Sequence, residues 1–85
     1  MATDQDGIAE RLAAFVKATY PMARVDSFTV HARLLEDGIV DSLGMIGLVE
    51  FIEEEFRLYV TDDDLTPENF TSIETIAQFL AGRVG

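Results

Sequence analysis

Asp41 and Ser42 stand between a long loop and the first residues of a helical run, Ser42-Leu43-Gly44-Met45-Ile46-Gly47-Leu48-Val49. A hydroxyl at that place lies in the first turn of a helix, where backbone N–H groups have no intrahelical acceptor and the dipole is positive. A bound anion is favoured there by about 0.3–1 kcal/mol at an exposed site. Nucleophilic catalysis is a poorer match. Gly38-Ile39-Val40-Asp41-Ser42-Leu43-Gly44 lacks the glycine spacing of a G-x-S-x-G elbow, and it follows a loop where that motif needs a strand. A triad of Ser42, His31 and an aspartate can be drawn on paper. An 85-residue helical bundle leaves little room to exclude water or build an oxyanion hole around it. His31, the single histidine, reads as a loop residue. The run Asp62-Asp63-Asp64 lacks the alternating ligand spacing of a calcium loop and reads as surface.

These residues must be positioned by helices. Ile8, Leu12, Phe15, Val16 and Thr19 recur at helical spacing, which predicts a first helix from Asp6 to Tyr20 that stops at Pro21. Residues 21–40 make a long connection, pinned by Val25, Phe28, Leu34, Ile39 and Val40, with Gly38 suited to a turn of positive φ. The second helix runs from Ser42 to Phe56, with Asp41 as N-cap. At 100° per residue, Met45, Leu48, Val49, Ile52 and Phe56 form one apolar stripe that faces the core. Leu43 lies opposite that stripe and shares the outer face with Gly47, Glu50 and Glu54, while Ile46 lies to one side. A short helical turn falls between Thr61 and Phe70, capped either by Thr61 or by Thr66-Pro67. Thr71-Ser72-Ile73-Glu74 reads as the capping box of a last helix whose buried face is Ile73, Ile76, Ala77 and Leu80. The expected fold is all-α: a small four-helix bundle of three main helices and one short helix, with a long first loop, in a single domain over residues 1–85.

The ten residues Leu34-Leu35-Glu36-Asp37-Gly38-Ile39-Val40-Asp41-Ser42-Leu43 closely resemble the acyl carrier protein family, which has an Asp-Ser-Leu triplet at the start of its second helix. Length, acidity, helix order and the Glu53-Glu54-Glu55-Phe56 ending agree with it, so the resemblance spans residues 8 to 81. It implies that Ser42 is the attachment site of a covalent 4′-phosphopantetheine arm, with Asp41 flanking it and assisting attachment. The arm would hold an acyl or aminoacyl group as a thioester, and the carrier itself would catalyse nothing. Leu43, Ile46, Gly47, Glu50, Glu53 and Glu54 would meet partners. Those partners would be a phosphopantetheinyl transferase, an acyl or aminoacyl ligase or acyltransferase, and ketosynthase, condensation or other tailoring enzymes. The stretch from Asp64 to Glu74 resembles free-standing carriers loaded by a dedicated ligase. A specialised polyketide, nonribosomal peptide or aminoacyl pathway is therefore expected, with fatty acid synthesis as the alternative. Gly44 and Gly47 depart from many fatty acid carriers, which have acidic residues there. Two interior glycines cost about 1 kcal/mol each relative to alanine. Close approach of a partner, a loosened first turn, or drift on a tolerant surface each account for them.

Charge narrows the remaining classes. Sixteen acids against six bases give −10, and residues 36–85 hold twelve of the acids with two of the bases. That sign repels phosphate backbones and excludes nucleic acid as a partner, while it speeds encounter with basic surfaces. An acidic interaction module that is never modified is the reading of another class. Cysteine is absent, which removes disulfides and thiolate chemistry. No apolar run approaches the roughly 20 residues of a membrane span, and the acidic start Met1-Ala2-Thr3-Asp4-Gln5-Asp6 is unlike a signal peptide. A cytoplasmic monomer without membrane contact is expected.

Overall fold

Ile8, Leu12 and Val16 stand four residues apart, and in the computed structural model all three are fully buried on one stripe of the first helix, α1 (Gln5–Thr19). The structure describes residues 5–20 and 28–84. Phe15 is half-buried to one side of the stripe, and Thr19, expected with the apolar set, is exposed. Tyr20, the next residue, packs against the core in its place. The expected stop at Pro21 and the expected pin Val25 lie outside the described residues.

From Phe28 onward the first loop is held by its own apolar residues and by backbone bonds. Phe28, Leu34, Ile39 and Val40 are buried. The Leu34 carbonyl accepts the N–H groups of Ile39 and Val40, both at 3.0 Å, and the Leu34 N–H donates to the Thr71 carbonyl at 2.9 Å. The reversal between Leu34 and Ile39 passes through Gly38 at φ +75°, a value that costs a residue with a Cβ but not glycine. The loop therefore enters the second helix in a defined place.

That helix, α2 (Ser42–Phe56), has the bounds its sequence predicts. Leu48 and Ile52 are fully buried, and Met45, Val49 and Phe56 flank them half-buried. It ends on Arg57 in the left-handed region at φ +55°, which turns the chain away from the axis. Of the two caps open for the short segment, Thr61 starts a 3₁₀ turn, Asp62–Asp64: its hydroxyl accepts from the Asp64 N–H, and the Asp64 carboxylate accepts from the Thr61 N–H. Thr66 closes a second turn without a helix, accepting from Asn69 N–H through both its carbonyl and its hydroxyl.

The last helix, α3 (Ile73–Val84), begins one residue later than its expected capping box. Ser72 and Thr75 make the reciprocal bonds, Thr75 N–H to Ser72 Oγ at 3.2 Å and Ser72 N–H to Thr75 Oγ1 at 3.0 Å. The expected pair is drawn elsewhere: the Thr71 hydroxyl donates to the Pro67 carbonyl, and the Glu74 carboxylate meets His31. Ile73, Ile76, Ala77 and Leu80 are fully buried, as the periodicity predicts. They pack on the α1 stripe, and α1 and α3 lie side by side. Each fully buried aliphatic side chain contributes roughly 1.5–3 kcal/mol relative to exposure. The result is a small all-α bundle in which three helices close one core and a loop with a 3₁₀ turn fills the gap at the α2 side.

Candidate functional site

The start of α2 is built around Asp41. Its backbone is extended at φ −87° and ψ −178°, and its carboxylate accepts from the Gly44 N–H at 2.6 Å. Its carbonyl accepts the first helical bond, from Met45 N–H at 2.8 Å. Asp41 is thus the N-cap, and the cap does not use the Ser42 hydroxyl. Ser42, the first residue of the helix, is exposed. Its own N–H and that of Leu43 precede the first intrahelical bond, so a group attached at Ser42 would meet unfilled donors and the positive end of the dipole.

Three sectors of α2 diverge from this point. Leu43 and Ile46 face outward at 79% and 57% exposure, with Glu50 and Glu54 exposed beside them. Glu50 and Glu54 make no ion pair among the described residues, whereas Glu55 is paired with Arg11 at 3.3 Å. Glu53 stands apart from its neighbours. It is half-buried, and its carboxylate accepts from the Val60 N–H at 2.9 Å, so it braces the chain after α2.

The second sector carries the two glycines, and here the expected outer face needs correction. Gly47 does not lie on open surface with Leu43. The Tyr20 hydroxyl would stand 3.3 Å from a Cβ at Gly47, and the Tyr20 ring 3.0 Å from a Cβ at Gly44. The same hydroxyl donates to the Gly44 carbonyl at 2.6 Å. The glycines are therefore a seat for the end of α1. Phe51, one further turn along that sector, stacks on Phe15 of α1 with ring centroids 4.1 Å apart, and Phe15 meets Tyr20 edge to face at 6.0 Å. Burial, and secondarily the negative charge of Asp41, raise the Tyr20 pKa above its ordinary 10.0. The phenol is a proton donor throughout the neutral range.

The third sector opens on a cleft of about 440 Å³ beside Ser42. Met45, Ile46 and Val49 of α2 form one wall, Leu35 of the loop a second, and Leu65, Pro67 and Phe70 a third. Among the described residues, the polar side chains that line it are those of Ser42, Glu50 and Thr66. Sequence reasoning missed Leu35, Leu65, Pro67 and Phe70, which lie outside any long helix and carry no periodic signal. Half-exposed Leu35 and Leu65 stand inside the stretches that resemble the carrier family, but nothing in their spacing marks them as lining a site.

The alternative serine chemistry is not assembled. His31 meets Glu74 at 3.0 Å at the start of α3 and does not line the cleft at Ser42. Asp64, expected as plain surface, is part of the fold. Its pKa is lowered below 3.8, first by the Thr61 N–H and then by the Arg83 guanidinium at 2.8 Å. Among the described residues no helix is long and apolar enough to cross a membrane.

Comparison with known proteins bears on this geometry. Aminoacyl carrier protein 2 of Bradyrhizobium diazoefficiens is 33% identical over 54 residues, which cover 64% of this chain and 60% of that protein. Aminoacyl carrier protein 1 of the same organism is 35% identical over 52 residues, 61% of this chain and 57% of that protein. These matches support the acyl and aminoacyl carrier protein family for this chain. The chain spans about three fifths of the length of these curated relatives. No family model matches the chain. The all-α bundle with an exposed serine at the start of α2 is compatible with that family.

Proposed function

We propose that Ser42 carries a 4′-phosphopantetheine arm and that the chain presents an acyl or aminoacyl group on it to biosynthetic enzymes. The observation that carries this reading is the exposed Ser42 hydroxyl, at the first position of α2, left free by the Asp41 cap and opening beside an apolar cleft. The residues present fit the arm. The first-turn N–H groups and dipole suit the phosphodiester, and exposure lets the arm reach other proteins. When bound, the arm supplies the thiol that holds the cargo as a thioester. The protein's own residues orient it, since Asp41 fixes the first turn through Gly44 and the walls of the cleft offer apolar surface close to the attachment point.

Leu43 and Ile46 are the apolar anchors of the docking surface, with Glu50 and Glu54 meeting basic residues on a transferase, a loading ligase or acyltransferase, and downstream condensing or tailoring enzymes. In such contacts rim charges set on-rate and register, and the buried apolar anchor sets affinity. The relatives' names, both aminoacyl carrier proteins, favour an aminoacyl cargo, and with it a specialised pathway, over fatty acid synthesis. In this reading the chain acts in the cytoplasm as one monomeric carrier domain.

Intact-mass measurement after incubation with coenzyme A and a broad-specificity phosphopantetheinyl transferase tests this. The wild-type chain is expected to gain one arm, and Ser42→Ala none. A folded wild-type chain that gains no mass overturns the reading and leaves the unmodified acidic interaction module in its place.

A further inference from the structure

Gly44 is held from both sides. Its N–H is bonded to Asp41 at 2.6 Å, and its carbonyl accepts the Tyr20 hydroxyl at 2.6 Å from across 24 residues of chain. In α-helical geometry that carbonyl also receives an N–H four residues on, from Leu48. The Tyr20 ring is in turn packed on Phe15, which is stacked on Phe51 in the next turns of α2. The first turns of α2 are built on two glycines, which favour the helix least of all residues apart from proline. Left to itself, such a segment frays.

We propose that Tyr20 is a positioning residue for Ser42: its hydroxyl, seated on the Gly44–Gly47 face, holds the first turn of α2 against the end of α1 and so fixes where the Ser42 hydroxyl is presented. Gly44 follows from this. A Cβ at Gly44 would stand 3.0 Å from the Tyr20 ring and 3.0 Å from the methyl of buried Val40, so the ring could not settle at its present depth. The phenol stays protonated across the neutral range, since burial raises its pKa, so the bond is present wherever a transferase works. Asp41 and Tyr20 act on the same residue from opposite ends, one on its N–H and one on its carbonyl. Neither touches the Ser42 hydroxyl, which remains exposed. The role in presentation rests on the carrier reading above, but the latch itself does not.

Tyr20→Phe is the test, because it keeps the ring and removes one hydrogen bond. Amide hydrogen exchange is expected to quicken roughly 2- to 10-fold at Gly44, Met45 and Leu48, the range a single lost hydrogen bond gives, while Ala77 and Leu80 of α3 keep their wild-type rates. The carbonyl 13C resonance of Gly44 is expected to move in the variant, more than those of the following residues of α2. With a broad-specificity transferase, the KM for the carrier is expected to rise with kcat unchanged, because only chains with a formed first turn bind productively. Unchanged exchange at those three amides overturns the latch, as does an equal rise throughout α3. Faster local exchange with an unchanged KM confines Tyr20 to helix stability and overturns its role in presentation. Faster local exchange in a protein that accepts no arm even as wild type keeps the latch and overturns the carrier reading instead.

Discussion

Gly44→Ala and Gly47→Ala separate the two glycines by sign. Replacing either by alanine relieves the helix of a backbone-entropy cost of about 1 kcal/mol. What opposes that gain differs. At Gly47 the added methyl meets one atom, the Tyr20 hydroxyl at 3.3 Å. That oxygen ends a side chain and its bond to Gly44 is short at 2.6 Å, so a shift of a few tenths of an ångström leaves a good hydrogen bond. The net expectation is a gain of about 0.5–1 kcal/mol. At Gly44 the methyl meets the Tyr20 ring at 3.0 Å, Val40 Cγ1 at 3.0 Å and Asp41 Oδ1 at 3.1 Å. Val40 is buried and has nowhere to move. Overpacking costs about 1–3 kcal/mol, and a disturbed N-cap up to about 1 more. After the propensity gain, a net loss of about 0–3 kcal/mol remains, centred near 1–2. For a domain of this size each kcal/mol moves the melting temperature by about 4–8 °C. Thermal unfolding followed by far-UV circular dichroism therefore shows Gly47→Ala melting above the wild type and Gly44→Ala below it. Equal shifts for the two variants, or a stabilised Gly44→Ala, would refute the account of the glycines as a seat for Tyr20.

Two further outcomes follow from the ends of the elements. Asp41→Ala removes the acceptor of the Gly44 N–H and is expected to lower stability by about 1 kcal/mol, read as the urea midpoint at unchanged slope. Asp64 ionises more readily in the folded chain than its ordinary 3.8, so its contribution is present above that value and disappears as the pH falls below it, through the lower folded value. Asp64→Asn is expected to melt below the wild type at pH 6 and to approach it in acid. A difference that persists undiminished at the lowest pH would contradict the assignment.

Much of α2 was legible because its signals are local. Asp41 before Ser42 is a cap by chemistry, and the stripe from Met45 to Phe56 returns with helical period. The start of α3 was displaced by one residue because Thr71 and Ser72 can both cap. The choice fell to Ser72 once Glu74 met His31 from across the chain and the Thr71 hydroxyl turned back to Pro67 four residues before it. Glu53 looks no different from Glu54 in the sequence, yet its carboxylate ends on Val60 N–H, because the chain folds back over it after Arg57.

The amino-acid order alone determined the three long helices, most of the residues that line their buried stripes and the place of Ser42 in a first turn. These depend on spacing along one element and on side chains within a few residues of each other. Tertiary structure alone decided which sectors of α2 are open, covered or walled into a cleft. Periodicity states which residues share a face but not what packs opposite. The Tyr20–Gly44 bond and the walls from Leu35 and Phe70 join segments that meet only when the bundle closes.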